Sequence, residues 1–509
     1  MRRSAVVVLV CLAAAVAIAV TALAVTPRAA VAPDAERSPA VAESTTVAPS
    51  SADVGAGGAA SAEPASATAP PPPEASKEAG GDTSNSAPTP TAAAESAIVR
   101  GSVDRTSLAL TATYTVRATL GWSDRRLRVA TTIHVRNTSG GGIDRLELNT
   151  VAARLGSMRL GTVTVDGTRR RATVSDQTIT VPLGGVLPAR ASTVIRVAYA
   201  ATLRSTVAGT TWLFTQANGI VGAYRWIPWI SRATSFDRPN HGDPFVTPVS
   251  PDITVTIASD RVLRYATTGV RVLTSVDGRS QTFHATNVRD FVLTAAPDYR
   301  WLTATVGRTT VRVAYRPGAP ASAMLAAARR AIRRMSALLV PYPYRIYTVA
   351  QSPGGFGMEG PQIAWIPTGI AAANVAYLVT HETAHQWFYG LVGNDQARQP
   401  WVDEAAADFL ARYVLASRRS SRCAQGRLDL TIYHYPSTCY YEVVYIQGGN
   451  LIDDLRRRLG SALFWATMRQ YVVAHRYGLV RNTTLLDALD AASPRDLSRV
   501  YRSRFPSAY

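Results

Sequence analysis

From about Ser107 to Arg300 apolar and polar residues alternate with period two, as in Leu127-Arg128-Val129-Ala130-Thr131-Thr132-Ile133 and Val194-Ile195-Arg196-Val197. Successive strand side chains point to opposite faces, so this rhythm demands sheets with one buried face. Asp166-Gly167 and Asp277-Gly278 are hairpin-turn signals between such runs. No helical pattern of useful length interrupts them. The expectation for 98–301 is a β-rich domain, an antiparallel sandwich or saddle-shaped sheet.

The texture changes after Arg300. Thr309 to Tyr315, Ile346 to Ala350 and Met358 to Ile366 read as extended pieces. From Pro320 to Leu339 the residues Met324, Leu325, Ala328, Ile332, Met335 and Leu339 recur at helical spacing, and Pro341 and Pro343 stop the pattern. Further helices are expected at about Ala372 to Leu391, Val402 to Ala416, Tyr445 to Leu459, Ala462 to His475 and Thr484 to Arg504. Residues 302–509 therefore read as an α+β domain, and the chain as multi-domain.

Ahead of both lies a different kind of sequence. Arg2 and Arg3 precede an uncharged run from Ala5 to Val25, the pattern of an export signal. The run is long enough to span a bilayer, so 1–25 is expected to be an anchor rather than a cleaved peptide, although Ala22-Leu23-Ala24 offers a small-residue cleavage site. Residues 26–97 are rich in Ala, Pro, Ser and Thr, with Pro70 to Pro73 consecutive. Such a stretch cannot bury enough apolar area to offset its ordering entropy, so a disordered stalk is expected. The implied location is outside the cytoplasm, membrane-anchored or secreted.

The net charge is 54 − 35 = +19, with Lys77 the only lysine. That bias reads first as arginine-rich composition and second as a hint of an anionic surface. No helix-turn-helix, zinc-finger or RNA-binding signature accompanies it, which excludes a nucleic-acid partner as the reading. Of the three cysteines, Cys11 lies in the apolar run, leaving Cys423 and Cys439. Outside the cytoplasm they are disulfide candidates; two buried free thiols are the alternative.

Chemistry concentrates in His381-Glu382-Thr383-Ala384-His385. On a helix, positions i and i+4 share a face, so both imidazoles reach one metal ion and Glu382 reaches its water. Glu404, on a second helical pattern, is placed to supply a third ligand. Two His and one Glu leave an open coordination position, the pattern of a catalytic zinc site. Asp408 follows Glu404 by one turn and is expected to accept the free N–H of a ligand His.

These residues resemble the gluzincin metallopeptidases of the aminopeptidase N type. The resemblance rests on His381 through Phe388, on Trp401-Val402-Asp403-Glu404, on Phe356-Gly357-Met358-Glu359-Gly360 in place of Gly-Ala-Met-Glu-Asn, on Tyr445-Ile446-Gln447-Gly448, and on Thr215-Gln216. It covers roughly 110–505 and lacks the family's large helical C-terminal domain. It implies a β-saddle domain followed by a thermolysin-like domain. One Zn2+ would be held by His381, His385 and Glu404. Glu382 would be the general base, and Tyr445 the hydroxyl that steadies the tetrahedral oxyanion. Glu359 would read a peptide's α-ammonium, with Gly357, Met358 and Gln216 lining the substrate site. Four departures stand out: Gly360 for Asn, Asn218 for an acidic residue that usually contacts the amine, Gln447 for Lys and Ala405 for Gly. The expected activity is an exported zinc aminopeptidase acting on peptides. The alternatives are a zinc endopeptidase or other specialised hydrolase with altered amine recognition, and a catalytically silent surface binding protein.

Overall fold

A computed structural model describes residues 96–509. Residues 1–25, expected above to be an export signal or anchor, and almost all of 26–97, expected to be a disordered stalk, lie outside the described residues. Among those described, no helix is long and apolar enough to cross a membrane.

The alternating sequence builds three sheets. The largest has eight strands in the order Val270–Thr274, Ser280–Val288, Ser250–Ser259, Leu110–Leu120, Arg126–Asn137, Ser192–Thr202, Arg159–Val165 and Thr168–Arg169. All its pairs are antiparallel except Leu110–Leu120 against Ser250–Ser259. In Leu110–Leu120 the even positions Leu110, Ala112, Tyr114, Val116, Ala118 and Leu120 are buried, whereas the Thr and Arg between them face outward or lie half-buried. Asp166 and Gly167 both take positive φ, +45° and +80°, the backbone a two-residue hairpin turn requires. Two four-stranded sheets complete this half, one carrying Phe214–Ala217 and Ile220–Ala223.

The second half rests on a five-stranded mixed sheet in the order Arg300–Val306, Thr309–Tyr315, Ile346–Ser352, Ile363–Pro367 and Met358–Gly360. A boundary between residues 301 and 302 would cut its first strand. The Met358 to Ile366 stretch, read from sequence as one extended piece, is a hairpin: Pro361 and Gln362, with φ +65° at Gln362, turn the chain so that Met358–Gly360 pairs antiparallel with Ile363–Pro367 at the sheet edge. Helix Ala321–Leu338 buries Met324, Ala328, Ala331, Ile332 and Met335 on one face. The stretch Thr484 to Arg504 is not one helix: Asn482–Ala492 ends before Pro494, and only a short turn, Ser498–Tyr501, follows.

The halves share their interior. Met358, Ile363 and Trp365 of the hairpin pack into the apolar core of the β half. Thr268 donates to the Pro361 carbonyl at 2.8 Å, and Tyr299 and Tyr344 donate across the junction to Gln351 (2.5 Å) and Asn287 (2.6 Å). The described residues 96–509 accordingly lie within a single compact unit.

Candidate metal centre

Helix Ala372–Ala384 carries the paired histidines, and helix Trp401–Val414 carries Glu404 in its first turn. The first is shorter than its sequence pattern, which extended to Leu391. After Ala384 the chain tightens, then makes wide turns in which Gly390, Leu391 and Val392 donate five residues back; Tyr389 sits at φ +109°. That unwinding frees the Phe388 carbonyl from the helix. It lies 3.0 Å from His385 Nδ1. A carbonyl only accepts, so Nδ1 carries the proton and the Nε2 lone pair points to the centre.

There, His381 Nε2 and His385 Nε2 are 3.2 Å apart, and Glu404 Oε2 is 3.3 Å from the first and 3.4 Å from the second. All three side chains are buried, and Glu404 Oε2 has no hydrogen-bond donor among the described residues. Four ligands around zinc at about 2.0–2.1 Å stand about 3.3 Å from one another, so this triangle fits one face of a tetrahedral site. Burial opposes ionisation of Glu404, yet His385 and His381 outweigh it and hold the carboxyl below the usual range. An anionic oxygen facing two imidazole nitrogens suits a divalent cation.

Around the triangle, contacts differ from the expectation at Asp408. Its carboxylate accepts from Tyr377 Oη (2.5 Å) and Arg412 Nε (2.7 Å), not from a histidine. Tyr377, one turn before His381, occupies the space in between. His381 Nδ1 has no hydrogen-bond partner among the described residues; the ring is held between Tyr377 and Tyr445, at centroid distances of 5.8 Å and 5.5 Å. Tyr445 sits in a π-helical turn, Tyr441–Gln447, continuous with helix Gly448–Leu459. Neighbouring Tyr441 is engaged with the Tyr377 hydroxyl at 3.1 Å, while Tyr440 is buried with its hydroxyl unpartnered. Gly448 permits close approach: a Cβ there would lie 2.7 Å from the Ala405 Cβ. Disulfide Cys423–Cys439 closes the loop that leads into the π turn.

Glu382 lies with Glu359 and His385 in a second group whose ligand atoms are all within 4.8 Å of one another. Gly357 is held to glycine by contact, because a Cβ would stand 2.2 Å from Glu382 Oε1. Buried Glu359 is on the edge strand Met358–Gly360, and its Oε1 accepts from Gln396 Nε2 at 2.8 Å. Gln396 also reaches Asp403 (2.9 Å) and receives Arg225 (3.3 Å). Gln386, directly after the motif, pins the hairpin to the helix by donating to the Gly360 carbonyl and accepting from the Gln362 N–H, both at 2.8 Å. Met358 is buried in the shared core. Gln216 is half-buried on Phe214–Ala217, with its amide committed to the Trp122 carbonyl at 2.9 Å. Residues that sequence reasoning missed are Gln396, Asp403 and Arg225. No repeat or motif spacing marks them; Gln396 joins Asp403 seven residues on to Glu359 and Arg225, which lie far along the chain.

Burial pushes Asp403 up to about 7, with Glu404 adding to the effect. Burial likewise raises Glu382, against His385 and with Glu359 and Glu404. Both bind a proton more tightly folded than unfolded, so metal-free protein should lose stability as pH rises from about 4 to about 7. Chelated protein should melt at a higher temperature near pH 5 than near pH 7.5, and zinc should flatten the difference. A chelated protein that melts higher at the higher pH would contradict this.

No family model matches the sequence. The chain is 28% identical over 149 residues to aminopeptidase N of Lactococcus lactis subsp. lactis, a match covering 24% of this chain and 17% of that protein. It is 25% identical over 157 residues to aminopeptidase M1 of Arabidopsis thaliana, covering 26% and 18%. The matches thus span under a fifth of the length of these curated relatives. Among solved structures, the M1 zinc metallopeptidase from Deinococcus radiodurans superposes with TM-score 0.62 at 20% identity, covering 78% of this chain and 93% of that one. A two-domain M1 zinc metallopeptidase mutant bound to L-tryptophan gives 0.61 at 20%, covering 80% and 96%. In its β-rich and α+β halves, the chain is similar to gluzincin metallopeptidases of the aminopeptidase N type.

Proposed function

We propose that this chain is a zinc-dependent peptidase that removes N-terminal residues from peptides, holding one zinc through His381, His385 and Glu404. The observation that carries the reading is the convergence of those three ligand atoms beside Glu382 and Glu359 in one buried cluster. The named relatives are aminopeptidases, and one similar structure is a mutant with a Tyr-Ser-Ala substrate bound. Bound zinc supplies Lewis acidity to a carbonyl oxygen and lowers the pKa of a water. Glu382 takes a proton from the attacking water on its carboxylate and returns it to the leaving amine nitrogen. The Tyr445 hydroxyl donates to the oxygen on which negative charge develops. Glu359 pairs with the substrate's α-ammonium, while the edge strand Met358–Gly360 is where the peptide backbone adds to the sheet. The Cys423–Cys439 bond supports a location outside the cytoplasm, with residues 1–25 as export segment and membrane tether.

Metal analysis combined with hydrolysis of a library of free and N-acetylated peptides tests this. Stepwise release of N-terminal residues from the free set is the expected result. Internal fragments from blocked peptides would favour an endopeptidase, a reading that Asn218 keeps open. A zinc-loaded protein inert to the whole panel would favour a binding protein.

A further inference from the structure

Tyr445 is carried on a wide helical turn, Tyr441–Gln447, and such turns are rare. Tightening the turn to α geometry would re-phase the side chains on it by about 100°, one residue's rotation. Tyr445 is half-buried, its ring stacked on His381 at 5.5 Å and flanked by Tyr441 at 4.8 Å, so such a rotation would take its hydroxyl away from the metal-ligand triangle.

A stretch of loop, residues 421–426, runs beside this turn, and Cys423 meets both of the turn's ends. Its sulfur is bonded to Cys439, whose carbonyl accepts the Val443 N–H at 2.8 Å where the turn begins. Its carbonyl accepts from Gln447 Nε2 at 3.0 Å where the turn finishes. Between these points Arg422 holds buried Glu442, the backbone N–H donating to Oε2 at 2.8 Å and Nε to Oε1 at 2.9 Å.

The whole amide of Gln447 is engaged. Its Nε2 also donates to Ser421 Oγ and to the Ala424 carbonyl, both at 2.9 Å, so two N–H groups are divided among three acceptors. Its Oε1 accepts from the Gly426 N–H at 3.1 Å and from Arg504 Nη2 at 2.8 Å. Arg504 is itself buried, and its carbonyl accepts the Leu428 N–H at 2.7 Å. A lysine at 447 would supply donors for the three acceptors, but it could not receive the Gly426 N–H and would oppose Arg504. The departure to Gln447 therefore matches its surroundings in this chain.

We propose that Gln447 is a positioning residue for Tyr445, and that Gln447 and the Cys423–Cys439 bond clamp the two ends of the turn that aims the Tyr445 hydroxyl. The inference rests on the peptidase reading, in which that hydroxyl donates to the oxygen where charge develops. It adds what keeps the donor in place.

A double-mutant cycle in the full chain tests it: wild type, Gln447→Ala, Tyr445→Phe and the two together, assayed on one free-amine peptide. Gln447→Ala should lower kcat about 10- to 100-fold, with KM and zinc content within about twofold of wild type. In the Tyr445→Phe background the same change should cost less than about twofold, because the hydroxyl it acts through is already gone. Equal losses in both backgrounds would overturn the proposal and leave Gln447 a purely structural residue. Cys423→Ser/Cys439→Ser opens the other end, should repeat the pattern, and serves if Gln447→Ala does not fold; wild-type kcat in that variant would also overturn the clamp. If wild-type protein hydrolyses no peptide, the peptidase reading fails by itself. A 3-fluorotyrosine placed at 445 then still decides: its fluorine NMR line should shift or split in the Gln447→Ala protein, and an unchanged line would overturn the clamp.

Discussion

Replacing Glu382 by Gln should lower turnover by about 10^3-fold or more while leaving zinc content at the wild-type level. The side chain is buried within 4.8 Å of Glu359 and His385 and touches the space above Gly357, so an isosteric amide keeps the packing. It cannot accept the proton that the attacking water must lose. Glu382 is not one of the three converging ligand atoms, so metal retention separates loss of the base from loss of the site. Metal analysis and initial rates on the same preparation decide the matter. Near wild-type turnover in the amide variant would remove the assigned role.

The second large effect is expected at a residue that touches none of the three converging side chains. Arg289 is buried, with no carboxylate in salt-bridge range among the described residues, and burial pushes its guanidinium down to about 10. It donates instead to four carbonyls: Thr247 at 3.0 Å in the β half, and Gly390 (3.2 Å), Leu391 (3.3 Å) and Gly478 (2.6 Å) in the α+β half. Arg289→Met fills much of the volume but strands those acceptors. A loss of about 3–5 kcal/mol is expected, read as an earlier denaturant midpoint with unchanged slope. Because Gly390 and Leu391 follow Phe388, whose carbonyl orients His385, zinc affinity should fall too. A midpoint within experimental error of wild type would show that water replaces the guanidinium.

Much of this was legible without coordinates, for a physical reason. The period-two alternation and the i, i+4 histidines are local geometry, whereas Glu404, on a second helix, was marked only by its spacing beyond the motif and by the family resemblance. Asp408 shows the limit of that logic. Helix phase placed it on the ligand face, but Tyr377 from the neighbouring helix takes its carboxylate. The helix end at Ala384 was hidden because its cause is backbone, the positive φ at Tyr389. Arg225 and Arg289 carry no signature at all. Each matters through partners on distant segments, such as Arg225 meeting Tyr389 and Gln396.

The shared interior has a bearing on how such a molecule could change over generations. The carbonyls that receive Arg289, the amide that receives Arg225 and the apolar seat of Trp365 are divided between the two halves. Exchanging either half for a foreign counterpart would orphan guanidiniums in a dry seam. Inheritance should therefore treat the pair as one indivisible cassette, with novelty entering through surface segments rather than by shuffling.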